Sequence, residues 1–271
     1  MARRWTAKEE YQLRRELQTL YVTQNKTIAE ISKILGIKSN SVYDRLVRLG
    51  IPTQRHAKPF ADNRRQDIFI PNRHTARLAE FFGIMLGDGH VSHFQTTVEL
   101  GSKEEAYAIA VADIMEELFG CRPTIGVRAN GYRTVYLGSV RLTTWLKKEG
   151  LVSNKVKAQV GVPAWICAND GYVRAFLRGF FDTDGSIYLL RYGIQISLTN
   201  HSLPLLRALH SMLISLEYAP SRLSTWRIYL TRRKDVLRFF REIHPRNPKH
   251  VSRFCSFIVM RRSDSGYSRR L

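Results

Sequence analysis

The chain has 271 residues, room for one large or two unequal domains around a sizeable core. Lys and Arg total 43 against 23 Asp and Glu, a formal charge of +20 that implies a polyanionic partner, nucleic acid ahead of membrane. Cys121, Cys167 and Cys255 show no CxxC spacing, which argues against structural zinc and for a reducing compartment; MARRW lacks the apolar core of a signal peptide, and no apolar run nears the roughly 20 residues of a membrane span, so a soluble, intracellular protein is expected.

Residues 1–52 read as a small all-α unit. Thr6, Thr27 and Ser39 stand where side chains cap helices over AKEEYQLRRELQTLY, IAEISKIL and NSVYDRLVRL, and Gly36 and Gly50 follow the last two. A short helix, a Gly-Ile turn and a helix with a polar start have the form of a helix-turn-helix, whose second helix reads base edges with its first residues. Lys38, Asn40, Ser41, Tyr43, Asp44 and Arg45 are the expected readers. Residues 53–72 form a linker rich in proline and basic residues, in which Arg64 and Arg65 are candidates for phosphate or minor-groove contact.

From Arg73 the order is helix, strands, helix, strands, helix. A helix ends at Gly87-Asp88, strands follow in GHVSHFQTTVEL, a helix runs from Lys103 to Phe119, and a hairpin turns at Asn130-Gly131 between TIGVR and YRTVYL. Ser139 caps a helix that ends at Gly150. After Asp184 the order repeats: strands SIYLL and YGIQISL, a helix from Ser202 to Leu216, a strand pair at SRLS and WRIYLT, and a helix from Lys234 to Ile243. The half-domains are 73–171 and 172–262, and a basic, disordered tail is expected over 263–271. Helices on one face of each sheet give an α+β layering. Alternation separates Tyr132, Thr134 and Tyr136 from Arg133, Val135 and Leu137, and Trp226, Ile228 and Leu230 from Arg227, Tyr229 and Thr231.

Two stretches carry the chemistry, LAEFFGIMLGDGH at Leu78–His90 and FLRGFFDTDGSI at Phe176–Ile187. Each holds a glycine inside an apolar helix, Gly83 or Gly179, at a cost of about 1 kcal/mol that close approach of a second backbone would offset. Each ends in Asp-Gly, with Gly89 and Gly185 expected to close the helix in the left-handed conformation. Asp88 and Asp184 are 96 residues apart, Tyr136 and Tyr229 are 93, and Lys155 and Lys249 are 94. Such a period implies two related halves about a pseudo-twofold axis, with the two carboxylates brought together where a cation relieves their repulsion.

Over roughly residues 73–262 the chain resembles the LAGLIDADG homing endonucleases of the monomeric, double-motif type. The motifs map to FFGIMLGDG and LRGFFDTDG, and the first has Leu86 where the motif's first Asp would stand. The resemblance implies two αββαββα half-domains forming a saddle over double-stranded DNA, with Gly83 and Gly179 at the helix interface. It implies divalent metal, Mg²⁺ with Mn²⁺ or Ca²⁺ able to replace it in binding, held by Asp88 and Asp184 with Gly87 and Thr183 beside them, and a basic residue near each site. Lys155 and Lys249 are the candidates, Ser102 or Lys103 and Asn200 or His201 stand where a side chain organises water, and Arg128, Arg133, Arg191, Arg222 and Arg227 are expected DNA contacts. His74, His90 and His93 lack metal-ligand spacing and read as structural or DNA-contacting. The expected activity is double-strand cleavage at a long pseudo-palindromic site by an intron-encoded enzyme. The alternatives are a DNA-binding regulator that does not cut and an RNA-splicing maturase, for which RNA is a further partner. An intein is not expected, since the chain begins with Met and ends SRRL without splicing-junction residues.

Overall fold

The computed structural model describes residues 6–53, 68–191 and 193–267. Backbone contacts divide the chain into two compact units, residues 1–62 and 63–271. Arg64, Arg65 and the last four residues lie outside the described part.

In the first unit α1 (Ala7–Gln18) continues into a π-helical turn over Thr19–Thr23, followed by α2 (Ile28–Leu35) and α3 (Ser39–Arg48). Thr6 and Thr27 each close a reciprocal capping box, with Glu9 and Glu30. The third cap is different: the N-cap is Lys38, which makes no side-chain cap bond, and Ser39 is already the first helical residue. Gly36 and Gly50 adopt φ of 63° and 64°, the left-handed closure that the sequence implies. Leu17, Tyr21, Ile31, Val42, Leu46 and Ile51 make a separate small core.

The second unit is built on two helices, α4 (Ala76–Leu86) and α7 (Asp170–Asp184), that pack along each other inside one continuous core. Each is followed by an antiparallel sheet: β1 (Gly89–Val91), β2 (Gln95–Leu100), β3 (Thr124–Val127) and β4 (Arg133–Gly138) in the order β1-β2-β4-β3, and β5 (Gly185–Leu190), β6 (Gly193–Thr199) and β7 (Arg227–Leu230) in sequence order. The helices α5 (Glu105–Phe119), α6 (Val140–Lys148), α8 (Leu203–Ser215), α9 (Arg233–Ile243) and α10 (Pro248–Tyr267) complete it. The fold is α+β with a mixed helix and sheet content in each half.

The register supports the duplication. Gly89 pairs with Val98 as Gly185 pairs with Leu198, and Thr97 pairs with Tyr136 as Ser197 pairs with Tyr229. The 93-residue offset between the two tyrosines is therefore a property of strand pairing.

Three expectations are corrected. The SRLS segment forms no strand of its own; Trp226 at φ 66° turns the chain so that only an isolated Ser224–Arg227 bridge precedes β7, and the second sheet has three strands. The segment after Arg261 continues α10 to Tyr267, an extension of a helix whose earlier turns seat Phe254 on Phe240, rings stacked at 3.9 Å. Gly89 and Gly185 do not close helices in the left-handed region. Gly185 is extended (φ −88°, ψ 159°) and both open a strand, because a Cβ on Gly89 would lie 2.4 Å from Met85 Cα and one on Gly185 2.3 Å from Phe181 O. Glycine is needed there for proximity and not for handedness.

Behind the paired helices Glu80, only 2% exposed, meets three arginines: Arg77 at 3.0 Å, Arg178 at 3.3 Å and Arg246 at 2.9 Å. Removing a buried partner strands the rest, so Glu80→Ala should destabilise the second unit by on the order of 3 kcal/mol. Denaturant unfolding checks this, and a loss under about 1 kcal/mol would show the arginines to be solvated without it.

Candidate functional site

The site is set by backbone contact between α4 and α7. A Cβ on Gly83 would stand 2.2 Å from Phe176 O and 2.7 Å from Phe180 N; one on Gly179 would stand 2.1 Å from Glu80 O and 2.9 Å from Ile84 N. Shifting the first set of residues by 96 yields the second, so the contacts are reciprocal across the pseudo-twofold axis. The pair Gly87 and Thr183 obeys the same relation and meets across the axis, where a Gly87 Cβ would lie 2.0 Å from Thr183 Oγ1. Thr183 Oγ1 donates back to its own helix, to Phe180 O at 3.0 Å.

One residue further on, the helix ends present Asp88 and Asp184, both half-buried. Burial pushes the Asp88 carboxyl up to about 7, helped by the nearby charges of Asp184 and Glu104 and opposed by Lys155 and Lys249. Burial also raises Asp184, against a hydrogen bond from Asn200 Nδ2 at 2.9 Å and the charges of Lys155 and His201. Asn200, one of the two residues expected to organise water there, thus touches the carboxylate, while exposed His201 acts on it through charge.

The lysines arrive by different routes. The Lys155 ammonium donates to Met85 O at 3.1 Å and to Gly87 O, and desolvation lowers its pKa against the pull of Asp184 and Asp88. Gly87 O can then serve a cation only through its remaining lone pair. The Lys249 ammonium donates to Glu104 Oε1 at 3.0 Å. Glu104 is a member of the site that sequence reasoning missed by one or two positions in favour of Ser102 or Lys103, both of which are exposed. The available signal was the acidic pair Glu104-Glu105 at the start of α5.

The open face of the first sheet carries a groove of about 550 Å³ lined by His90, Thr97, Glu99, Arg128, Thr134 and Tyr136 among others. The aromatic set of YRTVYL therefore faces outward, and Val135 and Leu137 face the core. Arg133 shares the parity of Val135, bonds Glu105 at 2.7 Å and Ser102 O, and is not among the residues that line the groove. Arg128 lines the groove paired with Glu99. In the second sheet Ile228 and Leu230 are buried, whereas Arg227, opposite Thr199, is exposed, as are Arg191 and Arg222. His74 stacks on Trp165 at 4.1 Å and bonds Glu149 at 3.1 Å, which fits its structural reading; His90 and His93 are exposed. On α3, Val42 and Leu46 point inward, Lys38, Asn40, Tyr43 and Asp44 are exposed, and Ser41 and Arg45 are half-buried.

Among the described residues no three His, Cys, Asp or Glu side chains converge as a metal cluster, and no helix is long and apolar enough to cross a membrane. The donor set nonetheless suits a hard divalent cation, since Mg²⁺ takes one or two carboxylates and completes its shell with water and phosphate oxygens.

One curated relative, the replication factor C small subunit of Methanocaldococcus jannaschii, is 31% identical over 122 residues, 44% of this chain, and the chain spans 6% of that protein's length. Similar solved structures include the N-terminal LAGLIDADG domain of DUF199/WhiA (16% identity, 66% of this chain and 88% of that one, TM-score 0.45). Others are the homing endonuclease I-DmoI in complex with DNA and Ca (14%, 62% and 88%, 0.44) and the homing endonuclease I-WcaI bound to its DNA recognition sequence (16%, 73% and 91%, 0.44). Residues 171–244 match the family model of the LAGLIDADG-like domain, so the half of the core that runs from α7 through α9 and bears Asp184 is LAGLIDADG-like.

Proposed function

We propose that the chain is a site-specific, double-strand DNA endonuclease of the homing type, hydrolysing phosphodiester bonds as a monomer at a long pseudo-palindromic duplex site. The observation that carries this reading is the reciprocal glycine contact, which brings together the C-terminal ends of α4 and α7 that carry Asp88 and Asp184, α7 lying in the LAGLIDADG-like segment. Asp88, whose ionisation burial and the charge of Asp184 make costly, gains most when a cation shares the site. Mg²⁺ bound there supplies water activation and neutralises the leaving 3′-oxygen. Asp88 and Asp184 hold it, with Gly87 and Thr183 main chain beside them. The Lys155 and Lys249 ammonium groups offset charge developing on the phosphate, and Asn200 fixes the orientation of Asp184. The open sheet faces, with Arg128, Arg191, Arg222 and Arg227 at their edges, track the duplex.

The test is cleavage of duplex DNA spanning the gene's own insertion locus, rejoined without it, in Mg²⁺. Wild-type protein should cut both strands, and Asp184→Asn should abolish cutting or reduce it to a nick. Binding without cutting by the wild type would instead favour the non-cleaving regulator.

The N-terminal unit adds phosphate contacts through α3 in this reading. Deleting residues 1–52 should weaken binding and flatten its dependence on salt, with each lost phosphate contact reducing the log–log slope by about 0.9. Titrations at several salt concentrations measure that slope, and an unaltered one would remove α3 from the interface.

A further inference from the structure

Asp182, 1% exposed in the second motif, is held apart from the carboxylate pair. Its oxygens accept the Arg246 amide at 2.9 and 3.1 Å and the Asn247 amide at 3.0 Å. The fully buried Asn247 then donates Nδ2 to Asp182 O at 2.8 Å and to Glu104 Oε1 at 2.7 Å, and its Oδ1 accepts the Lys249 amide at 3.1 Å. Glu104 uses its other oxygen to accept the Gly101 amide at 2.8 Å, so the carboxylate that receives the Lys249 ammonium is fixed at both ends. The chain of bonds starts on α7, passes through the segment after α9 and ends at the head of α5. It therefore ties the second half to the first.

Among the described residues the other half shows no such device. A shift of 96 residues carries Asp182 onto Leu86, which offers no acceptor. Lys155 is held by main-chain carbonyls of Met85 and Gly87, and Asp184 by a neutral amide, Asn200. Glu104 and Lys249 act on Asp88 with opposite sign and do not feature around Asp184. A lysine has several rotamers to lose, and charge-assisted bonds to a fixed acceptor settle its position before substrate arrives.

We infer that Glu104, locked by Asn247 and Asp182, is a positioning residue that holds the Lys249 ammonium beside Asp88, so that the two half-sites cut their strands by unequal means. The inference rests on the nuclease reading of the same site.

The experiment uses the full chain, with the insertion-locus duplex labelled differently on each strand. Glu104→Gln should slow one strand about tenfold more than the other, accumulating a nicked intermediate, and Asn200→Ala should bias cutting toward the opposite strand. A loss of folding would slow both strands together, so strand bias separates positioning from stability. A second readout needs no metal: the ¹⁵N lysine ammonium resonance of Lys249 should be protected from exchange in wild type and lose that protection in Glu104→Gln, while that of Lys155 persists. Equal slowing of both strands by a Glu104→Gln protein that unfolds in urea as the wild type does, or a Lys249 resonance unchanged by Glu104→Gln, overturns the inference. If the wild type cuts neither strand, the nuclease reading falls separately and the Lys249 resonance decides the positioning claim.

Discussion

Replacing Gly179 with alanine should strongly destabilise the second unit. The added methyl would sit 2.1 Å from Glu80 O, 3.0 Å from Glu80 C and 2.9 Å from Ile84 N, all backbone atoms of the facing helix. No flexible side chain can swing away; the helices must separate, and Phe176, Phe180 and Phe181, all fully buried, lose their packing with them. Alanine's better helix propensity returns about 1 kcal/mol, against an overpacking cost that we place at about 4 kcal/mol because it falls on two backbones. A net loss near 3 kcal/mol is a large share of the roughly 5–15 kcal/mol that holds a domain folded. Gly83→Ala should behave alike, by the reciprocal contact with Phe176 O. Gly193→Ala is the control: a Cβ there meets nothing within 4 Å, and stability should change by less than about 0.5 kcal/mol. Urea unfolding of the three variants measures the contrast. A Gly179→Ala protein as stable as Gly193→Ala would mean that the helices are not in backbone contact.

The same contacts explain how much could be read from residues alone. Gly83, Gly179, Asp88 and Asp184 were legible because close backbone approach admits little but glycine and because the pattern occurs twice at one spacing. Strand parity in YRTVYL separated Tyr136 from Val135, but parity does not say which face is open; the structure buries Val135 and engages the Arg133 guanidinium with Glu105. Glu104 was hidden for a different reason. Its partners, Asn247 and Lys249, lie more than 140 residues away in the chain, and nothing local distinguishes an acid that will meet a lysine from one that will face solvent. The glycine after each Asp misled in conformation though not in position: an Asp-Gly pair reads locally as a helix stop, whereas Met85 and Phe181 crowd the next residue from within their own helices.

Asp88→Asn should raise stability and lower activity together. In the metal-free protein burial and the charge of Asp184 hold the Asp88 carboxyl up at about 7 against an ordinary 3.8. Between those values the folded chain keeps a proton that the unfolded chain gives up, so the stability this group contributes is full below about pH 4, declines as pH rises toward 7 and is flat beyond. An amide has no such dependence. At pH 8 without metal the Asp88→Asn protein should therefore be more stable than wild type by about 2 kcal/mol, with the difference shrinking as pH falls toward 4. Saturating Mg²⁺ should reverse the order, because only the wild type gains the free energy of cation binding at a full pair of carboxylates. Its affinity for Mg²⁺ should climb with pH up to about 7 and then level, since proton and cation compete for one oxygen pair. Cleavage by the variant should fall by about 10²-fold or more, or stop at a nick. Urea unfolding at pH 4 and 8, with and without Mg²⁺, reads the stability, and strand cutting reads the activity. A functional site that keeps an acid where folding alone would favour its neutral form gives up stability to hold a cation. A variant less stable than wild type at pH 8 without metal would make Asp88 a structural carboxylate, and the case for a metal-dependent nuclease would fall with it.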